Sequence, residues 1–498
     1  MLHSPIFSSI LDNLASLRWL LPEGLLASTL VVVLGLAMFL PRYQHYWLRP
    51  VSFLGVVLAG YSKYWLSSQL GQDSALPLFN QLLILDPLAV FFGLLLLSLT
   101  GLLLLLVPPP AQHAADPAAG PAYVVLMLGA LLGSCLLVMA FHWLTIYLGL
   151  SLVTLASALL IGSHTTPAST AASLKYLLYS MATAAVMLWG MGYLYGLTGT
   201  LALAHSDLPL RLQALPRAVV LTMLLLCLSS ILFVLAAAPY HYWVPDVYQA
   251  APAPVVAYVA TVPKLAAAGV LLRLCQQFLP HLGPILQAQA LQGLAMLALL
   301  SLIVGNAAAL LQNNLQRLLA YGSIAQGGLL MAGIVAMPSS QAGLLYYSVL
   351  YGVMSVAAWL GIQALQHLTG SGHLLDCVGL GRQWPVLGTG ITVVMLALVG
   401  LPPTAGFIGK FLLFTGLWAH AQCTGSPWSM ALLAASLLST VLSLYYYLKL
   451  PYVLFFKPPQ QAPIKPRTVQ AAPILMALLA ILLLVAFFSS LFPSTWRG

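Results

Sequence analysis

Charge is what this chain has least of. Only 5% of its 498 residues are Asp, Glu, Lys or Arg, against about 25% in ordinary soluble domains. With 61% of the residues hydrophobic, that excludes a single water-soluble core and leaves a polytopic membrane protein. Carboxylates are scarcest: there are eight, and Glu23 is the sole glutamate. Asp12, Asp73, Asp86, Asp116, Asp207 and Asp376 read as lying in termini, loops or helix edges, and Asp246 in a proline-flanked stretch. The five cysteines (Cys135, Cys227, Cys275, Cys377, Cys423) stand alone. With no CxxC, His–Cys cluster or P-loop, no haem, iron–sulfur, zinc or nucleotide site is written in the sequence. Most of the basic residues behind the net charge of +9 are scattered singly in loops. There is no aromatic–basic patch of the kind that holds nucleic acid; such loops set topology and meet anionic lipid.

What is present in abundance is apolar run. About 20 apolar residues span a bilayer, and fourteen such segments are expected, at roughly 24–40, 50–68, 88–107, 122–140, 142–162, 171–196, 220–238, 255–274, 289–311, 317–337, 343–368, 388–418, 428–454 and 471–492. The longest loops, 197–219 and 455–470, are too small to be domains, so 1–498 reads as one membrane domain. The N-terminus lacks a cleavable-signal layout, and its first apolar run reads as a retained span. Arg42, Arg49, Arg317, Arg382, Lys457, Lys465 and Arg467 follow odd-numbered spans, whereas Arg18, Arg211, Arg217, Arg273 and Arg497 fall on the other side. This bias places odd loops in the cytoplasm and both termini outside.

Two lysines interrupt apolar runs. Lys264 lies inside VVAYVATVPKLAAAGVLL, and Lys410 inside GLPPTAGFIGKFLLFTGLW, with no other charge between Arg382 and Lys449. An ionised side chain at bilayer depth costs at least ~2.5–3.5 kcal/mol and is a functional hypothesis by default. Both read as too far from a helix end to snorkel. Desolvation disfavours the charged form of a buried amine, so such a lysine can release and regain a proton. Proline breaks two spans: Pro239, Pro245, Pro252 and Pro254 flank APYHYWVPDVYQAAPAPV, and Pro402, Pro403 and Gly406 fall in GLPPTAGFIGKF. A proline removes one backbone donor and clashes with the preceding turn. Unwound backbone at membrane depth is tolerated only inside protein or beside water. Paired breaks point to an internally repeated transporter fold; two ordinary proline kinks are the plainer alternative. Pro263 and Thr261 make a polar notch at Lys264. The simpler reading of each lysine is one held by carbonyls for packing.

The stretch APYHYWVPDVYQAAPAPVVAYVATVPKLAAAGVLLR closely resembles the N subunit family of respiratory complex I, also called subunit 2 of NADH:quinone oxidoreductase. GLPPTAGFIGKFLLF, LAYGSIAQGG and ASLKYLL with GMGYLYGLTGT are further signatures, and the similarity runs from LDPLAVFF, about residue 85, to about 455. The resemblance implies an all-α fold of fourteen transmembrane helices. Two inverted five-helix repeats would lie at 122–274 (helices 4–8) and 289–454 (helices 9–13), with helices 7 and 12 broken and 1–121 and 471–498 flanking. It implies a proton path through Lys264, Lys410, Lys175 and His241, Lys175 being the lysine of the family's LKY motif. Lys175 also reads as a snorkelling anchor near a helix start. His241 and Asp246, in the broken seventh helix, would order water or brace a neighbour.

The chain also departs from the family. Ser151 stands where the fifth helix usually has a glutamate, and Val234 where the seventh has a lysine. Gln316 and Gln326 replace a lysine and a histidine, and glutamine cannot titrate. Losing both partners of a buried pair together is coherent, since removing one alone strands a charge. The expectation is therefore a family subunit with a weakened or lost proton path. The alternative is a path rerouted through Lys175, Lys264, Tyr and Ser. The resemblance implies no cofactor on this chain, with NADH, FMN, iron–sulfur clusters and quinone on other subunits. Its neighbours would be an M-like subunit on one side and A-, J- and K-like subunits on the other, in the inner (cytoplasmic) membrane. A subunit of an Mrp-type sodium/proton antiporter and a non-pumping scaffold remain the competing readings. PDVYQAAPAPV favours the complex I family over the antiporter relatives.

Overall fold

The structure, a computed structural model, describes residues 13–39, 44–69, 75–106, 119–164, 166–458 and 471–491. Arg42, Lys465, Arg467, Arg497, Asp12, Asp73 and Asp116 lie outside the described residues.

Helices α1 (Leu21–Phe39), α2 (Gln44–Gln69), α3 (Pro87–Leu106), α4 (Ala119–Met139), α5 (Trp143–Gly162) and α6 (Pro167–Thr198) open the chain. Next come α7 (Leu208–Gln213), α8 (Arg217–Leu235), α9 (Val244–Ala250), α10 (Ala253–Val259) and α11 (Val262–Arg273). The remaining helices are α12 (Pro284–Leu310), α13 (Leu315–Val335), α14 (Gln341–Thr369), α15 (Leu380–Gln383), α16 (Pro385–Val399), α17 (Ala405–Thr424), α18 (Pro427–Phe455) and α19 (Ala471–Leu491). Eleven helical segments among the described residues, with Ala253–Leu282 counted as one, are long and apolar enough to cross a membrane. The other expected spans fall on α2, on the pair α16 and α17, and on α19.

One element was not expected. Between α2 and α3 an antiparallel hairpin pairs β1 (Leu76–Leu78) with β2 (Leu83–Leu85). Its turn runs through Phe79, Asn80 and Gln81 at φ of 50°, 54° and 67°. Leu78, Leu83 and Leu85 pack on Ala89 and Met139, so the hairpin closes over the ends of α3 and α4.

Local chemistry sets the helix ends. Thr166 caps α6 by accepting from the Ser169 amide at 3.2 Å, and Pro167 follows where no donor is needed. Asn314 caps α13 by accepting from the Gln316 and Arg317 amides at 3.0 and 3.1 Å. Large apolar side chains such as Leu178, Trp189, Tyr193, Leu438 and Val441 are exposed. Lipid tails solvate such residues as readily as a protein core does.

The chain divides into two compact units. One comprises residues up to Leu235 together with Val262–Leu291; the other comprises Ala236–Thr261 and the residues from Gln292 onward. In the first, α4 packs on α5, α6 on α8, and α11 on α3, α4 and α8. In the second, α14 packs on α17, α16 on α18 and α19, α9 on α13, and α10 on α14.

Candidate functional site

The site in the second unit is built on the gap between α16 and α17. Helix α16 ends at Val399, and its last carbonyls have no donor within the helix. Gly400, at φ +86°, turns the chain, and the amides of Gly400 and Leu401 return to Leu396 O at 2.9 and 3.1 Å. Pro402 and Pro403 offer no amide. The last two carbonyls are taken by a side chain: Lys410 Nζ donates to Leu398 O at 3.0 Å and Val399 O at 2.8 Å. Lys410 is 4% exposed. Its ammonium therefore sits at the negative end of a half-helix, where a cation is favoured.

Two glycines make that approach possible. A Cβ on Gly400 would lie 2.8 Å from Lys410 Cδ, and one on Gly406 would collide with Ala397 O. Lys410 is the sixth residue of α17 and Lys264 the third of α11. Each follows closely on a break in the protein interior and is buried there.

Leu398 O also accepts from Gln326 Nε2 at 3.3 Å. The Tyr347 hydroxyl donates to Gln326 Oε1, and Tyr447 is in contact with Gln326 and Tyr446. The Tyr446 hydroxyl donates to Asn306 Oδ1 at 3.2 Å, and Asn306 Nδ2 donates to Ser439 Oγ at 2.7 Å. Lys410, Gln326, four hydroxyls and an amide thus form one buried polar chain through an apolar unit. Beside it, Ser323, Gln326, Tyr351, Ser355 and Tyr447 line a cavity of about 10 Å³, near the smallest space that holds one water.

In the first unit, Lys264 is fully buried on α11. The run 255–274, expected as one helix, is two. Helix α10 ends at Val259, and α11 starts at Val262. Pro263 has no amide to give the preceding turn, and the Thr261 hydroxyl turns back to Ala257 O at 2.6 Å. Within the second unit, the Tyr351 hydroxyl reaches Ala260 O at 3.2 Å and Ser323 at 3.2 Å.

The other expected residues are spread more widely. Lys175, ninth in α6, is half-buried. His241 lies in the gap between α8 and α9, 7% exposed, its ring stacked on Tyr242 and its Nδ1 unbonded. Asp246 binds Arg317 at 2.8 Å, both about two-fifths exposed, tying α9 to the start of α13. Pro239 lies in the same gap, Pro245 and Pro254 sit in the first turns of α9 and α10, and Pro252 precedes α10. The Ser151 hydroxyl donates to Tyr147 O of its own helix at 2.8 Å, and Val234 is buried.

Sequence reasoning named Gln326 only as a substitution and passed over Tyr347, Tyr446, Tyr447 and Asn306. Their partners lie 21 to 140 residues away, and no local pattern joins them.

Residues 140–443 match the family described as NADH:quinone oxidoreductase/Mrp antiporter, transmembrane. The chain belongs to this antiporter-like membrane family. It is 32% identical over 450 residues to NADH-quinone oxidoreductase subunit N of Trichlorobacter lovleyi, covering 90% of this chain and 89% of that one. A chain of respiratory complex I from Thermus thermophilus superposes with a TM-score of 0.75 at 29% identity, covering 94% of this chain and 97% of that one. A chain of the Mrp complex from Dietzia sp. has the same fold (TM-score 0.72, 21% identity), but this family member spans 50% of its length. Lys264, on α11, is buried in the first unit of this family member, and Lys410, on α17, in the second.

Proposed function

We propose that this chain is the N subunit of a proton-translocating NADH:quinone oxidoreductase and supplies a proton path for electron transfer carried out elsewhere. The observation that carries the reading is Lys410, buried and held on the carbonyl end of a half-helix, with a chain of amide and hydroxyl groups leading from it. A neutral lysine can accept a proton there and release it again, and the Tyr347, Tyr446 and Tyr447 hydroxyls nearby can each both donate and accept. Lys264 gives the first unit its own buried amine. The chain would hold no cofactor and no active site of its own, with NADH, FMN, iron–sulfur clusters and quinone on other subunits. Its partners would be M-like on one side and A-, J- and K-like on the other. It would sit in the inner (cytoplasmic) membrane with both termini on the outer face.

Ser151 and Val234 set the rival reading, a scaffold whose path has decayed. NADH-driven proton uptake into vesicles, measured beside electron transfer to quinone, separates the two. Lys264→Met and Lys410→Met each lower the proton yield per electron if the path works. Wild-type yield in both makes the subunit a scaffold. Ser151→Glu with Val234→Lys raises the yield only if the missing pair limits it. Co-purification with small antiporter subunits in place of NADH dehydrogenase subunits would make the chain part of an Mrp-type complex.

A further inference from the structure

The first unit holds two buried ion pairs that differ in kind. Arg273, at the end of α11, grips Asp86 with both ends of its fork, at 2.8 and 2.9 Å, and also donates to Val138 O at 2.8 Å. Asp86 additionally accepts from the Ala89 amide at 2.8 Å. This clamp uses both ends of the guanidinium fork and leaves Arg273 Nε buried without a partner, and arginine does not release its proton. The second pair joins Glu23, in the first turn of α1, to Lys63 of α2 at 2.5 Å; their side chains are 3% and 1% exposed. Here too satisfaction is incomplete. Glu23 Oε2 is buried without a partner, and the other contact of Lys63 is the Met139 thioether at 3.5 Å, a weak acceptor. Of the salt bridges among the described residues, this is the one in which both partners can change protonation.

A glycine makes room for the amine, and a cavity borders the apolar cluster that it touches. Gly93 of α3 opens a slot: a Cβ there would come within 2.7 Å of Lys63 Nζ. Phe92, its neighbour, packs on Gly269 of α11, five residues beyond Lys264. On the other side, Met139 belongs with Leu78 to the apolar cluster of the hairpin, against which Trp19 and Phe79 pack. The last two, with Ser16, Leu76 and Asn80, line a cavity of about 320 Å³ at the hairpin. The ionisable groups acting on Lys63 are Glu23 from α1, Asp86 from just before α3 and Cys135 from α4, with Arg273 of α11 reaching Asp86 and Val138 beside them.

We propose that Glu23 and Lys63 form a proton-transfer station of the first unit, standing between Lys264 and the face where α1 begins. The inference rests on the pumping reading above. An incoming proton adds to the Glu23 carboxylate, giving the neutral acid beside the Lys63 ammonium. Loss of the Lys63 proton toward the hairpin cavity, followed by transfer from Glu23 to the amine, restores the starting pair. The free oxygen gives the incoming proton a place to add while Glu23 Oε1 keeps its contact with Lys63.

The test is Lys63→Arg in the assembled complex. It keeps the charge and the carboxylate contact but removes the releasable proton. The station predicts normal assembly with a proton yield per electron lowered to the level of Lys264→Met. Wild-type yield overturns it. Should arginine not fit the slot and assembly fail, the double variant Glu23→Gln/Lys63→Met decides. Removing both charges is tolerated where removing one is not, so that variant assembles and shows the same loss, or pumps normally and sinks the proposal. Lys264→Met run in parallel keeps the readings apart. No loss there refutes the pump, whereas a loss there with none in Lys63→Arg refutes only the station.

Discussion

Gly400→Ala separates a lysine that is positioned from one that is merely buried. Gly400 has φ +86°, and an alanine methyl there would sit 2.8 Å from Lys410 Cδ. Left-handed backbone costs a residue with Cβ about 1–2 kcal/mol, and forcing an extra methyl into a filled site adds about 1–3 kcal/mol. The lysine can yield only by moving its stem, which draws Nζ off Leu398 O and Val399 O. Gly425 supplies the control. It ends α17 at φ +63°, and a methyl there would meet nothing within 4 Å, so Gly425→Ala carries the backbone cost alone. Thermal inactivation of the purified complex and NADH-driven proton uptake should both be recorded. Gly400→Ala is expected to lose more stability than Gly425→Ala and, unlike it, to lose proton yield. Equal effects at the two glycines, or full yield in Gly400→Ala, would show that the carbonyl seat of Lys410 has no part in transfer.

Asp86→Asn removes the charge that Arg273 is built around and strands the guanidinium in a buried site; about 3–5 kcal/mol of destabilisation is expected, read as loss of assembled complex. Tyr347→Phe leaves Gln326 Oε1 without the hydroxyl that donates to it; it should cost about 1–3 kcal/mol and slow proton uptake more than electron transfer. Arg317→Ala breaks a pair that is about two-fifths exposed on both sides, so its effect on the thermal midpoint should correspond to no more than about 1 kcal/mol. A larger loss would mean that the tie between α9 and α13 matters beyond its charge.

The breaks and their lysines were legible because proline and lysine inside an apolar run each violate a rule that nothing nearby can mend. Pro402 and Pro403 gave away the gap before α17, and Lys410 stood out against the uncharged residues around it. The break at Ala260–Thr261 was hidden, since Val255 to Leu272 is apolar throughout apart from Lys264 and its notch, and a continuous helix fitted it equally well. Glu23 and Lys63 were hidden for a different reason. Each sits near the end of its span, where a charge passes for an interfacial one, and their pairing across 40 residues exists only in three dimensions. The tyrosine chain is of that kind too: buried tyrosine ordinarily means packing, and only the meeting of α12, α13, α14 and α18 gives Tyr347, Tyr446 and Tyr447 common partners.

The path of the chain between its units also bears on how it is made. Residues 236–261 belong to the second unit but are synthesised before 262–291, which complete the first. As the ribosome advances, the first unit has all its parts at Leu291, while a proline-rich segment with an open helix end at Leu235 waits for α12 to α18. Broken backbone in lipid leaves amides and carbonyls unsatisfied at several kcal/mol each. The nascent chain thus carries an unfinished surface through the second half of its translation, and holding that surface is a task for the insertion machinery. A chain halted after Leu291 would expose it permanently and be a ready target for membrane proteolysis.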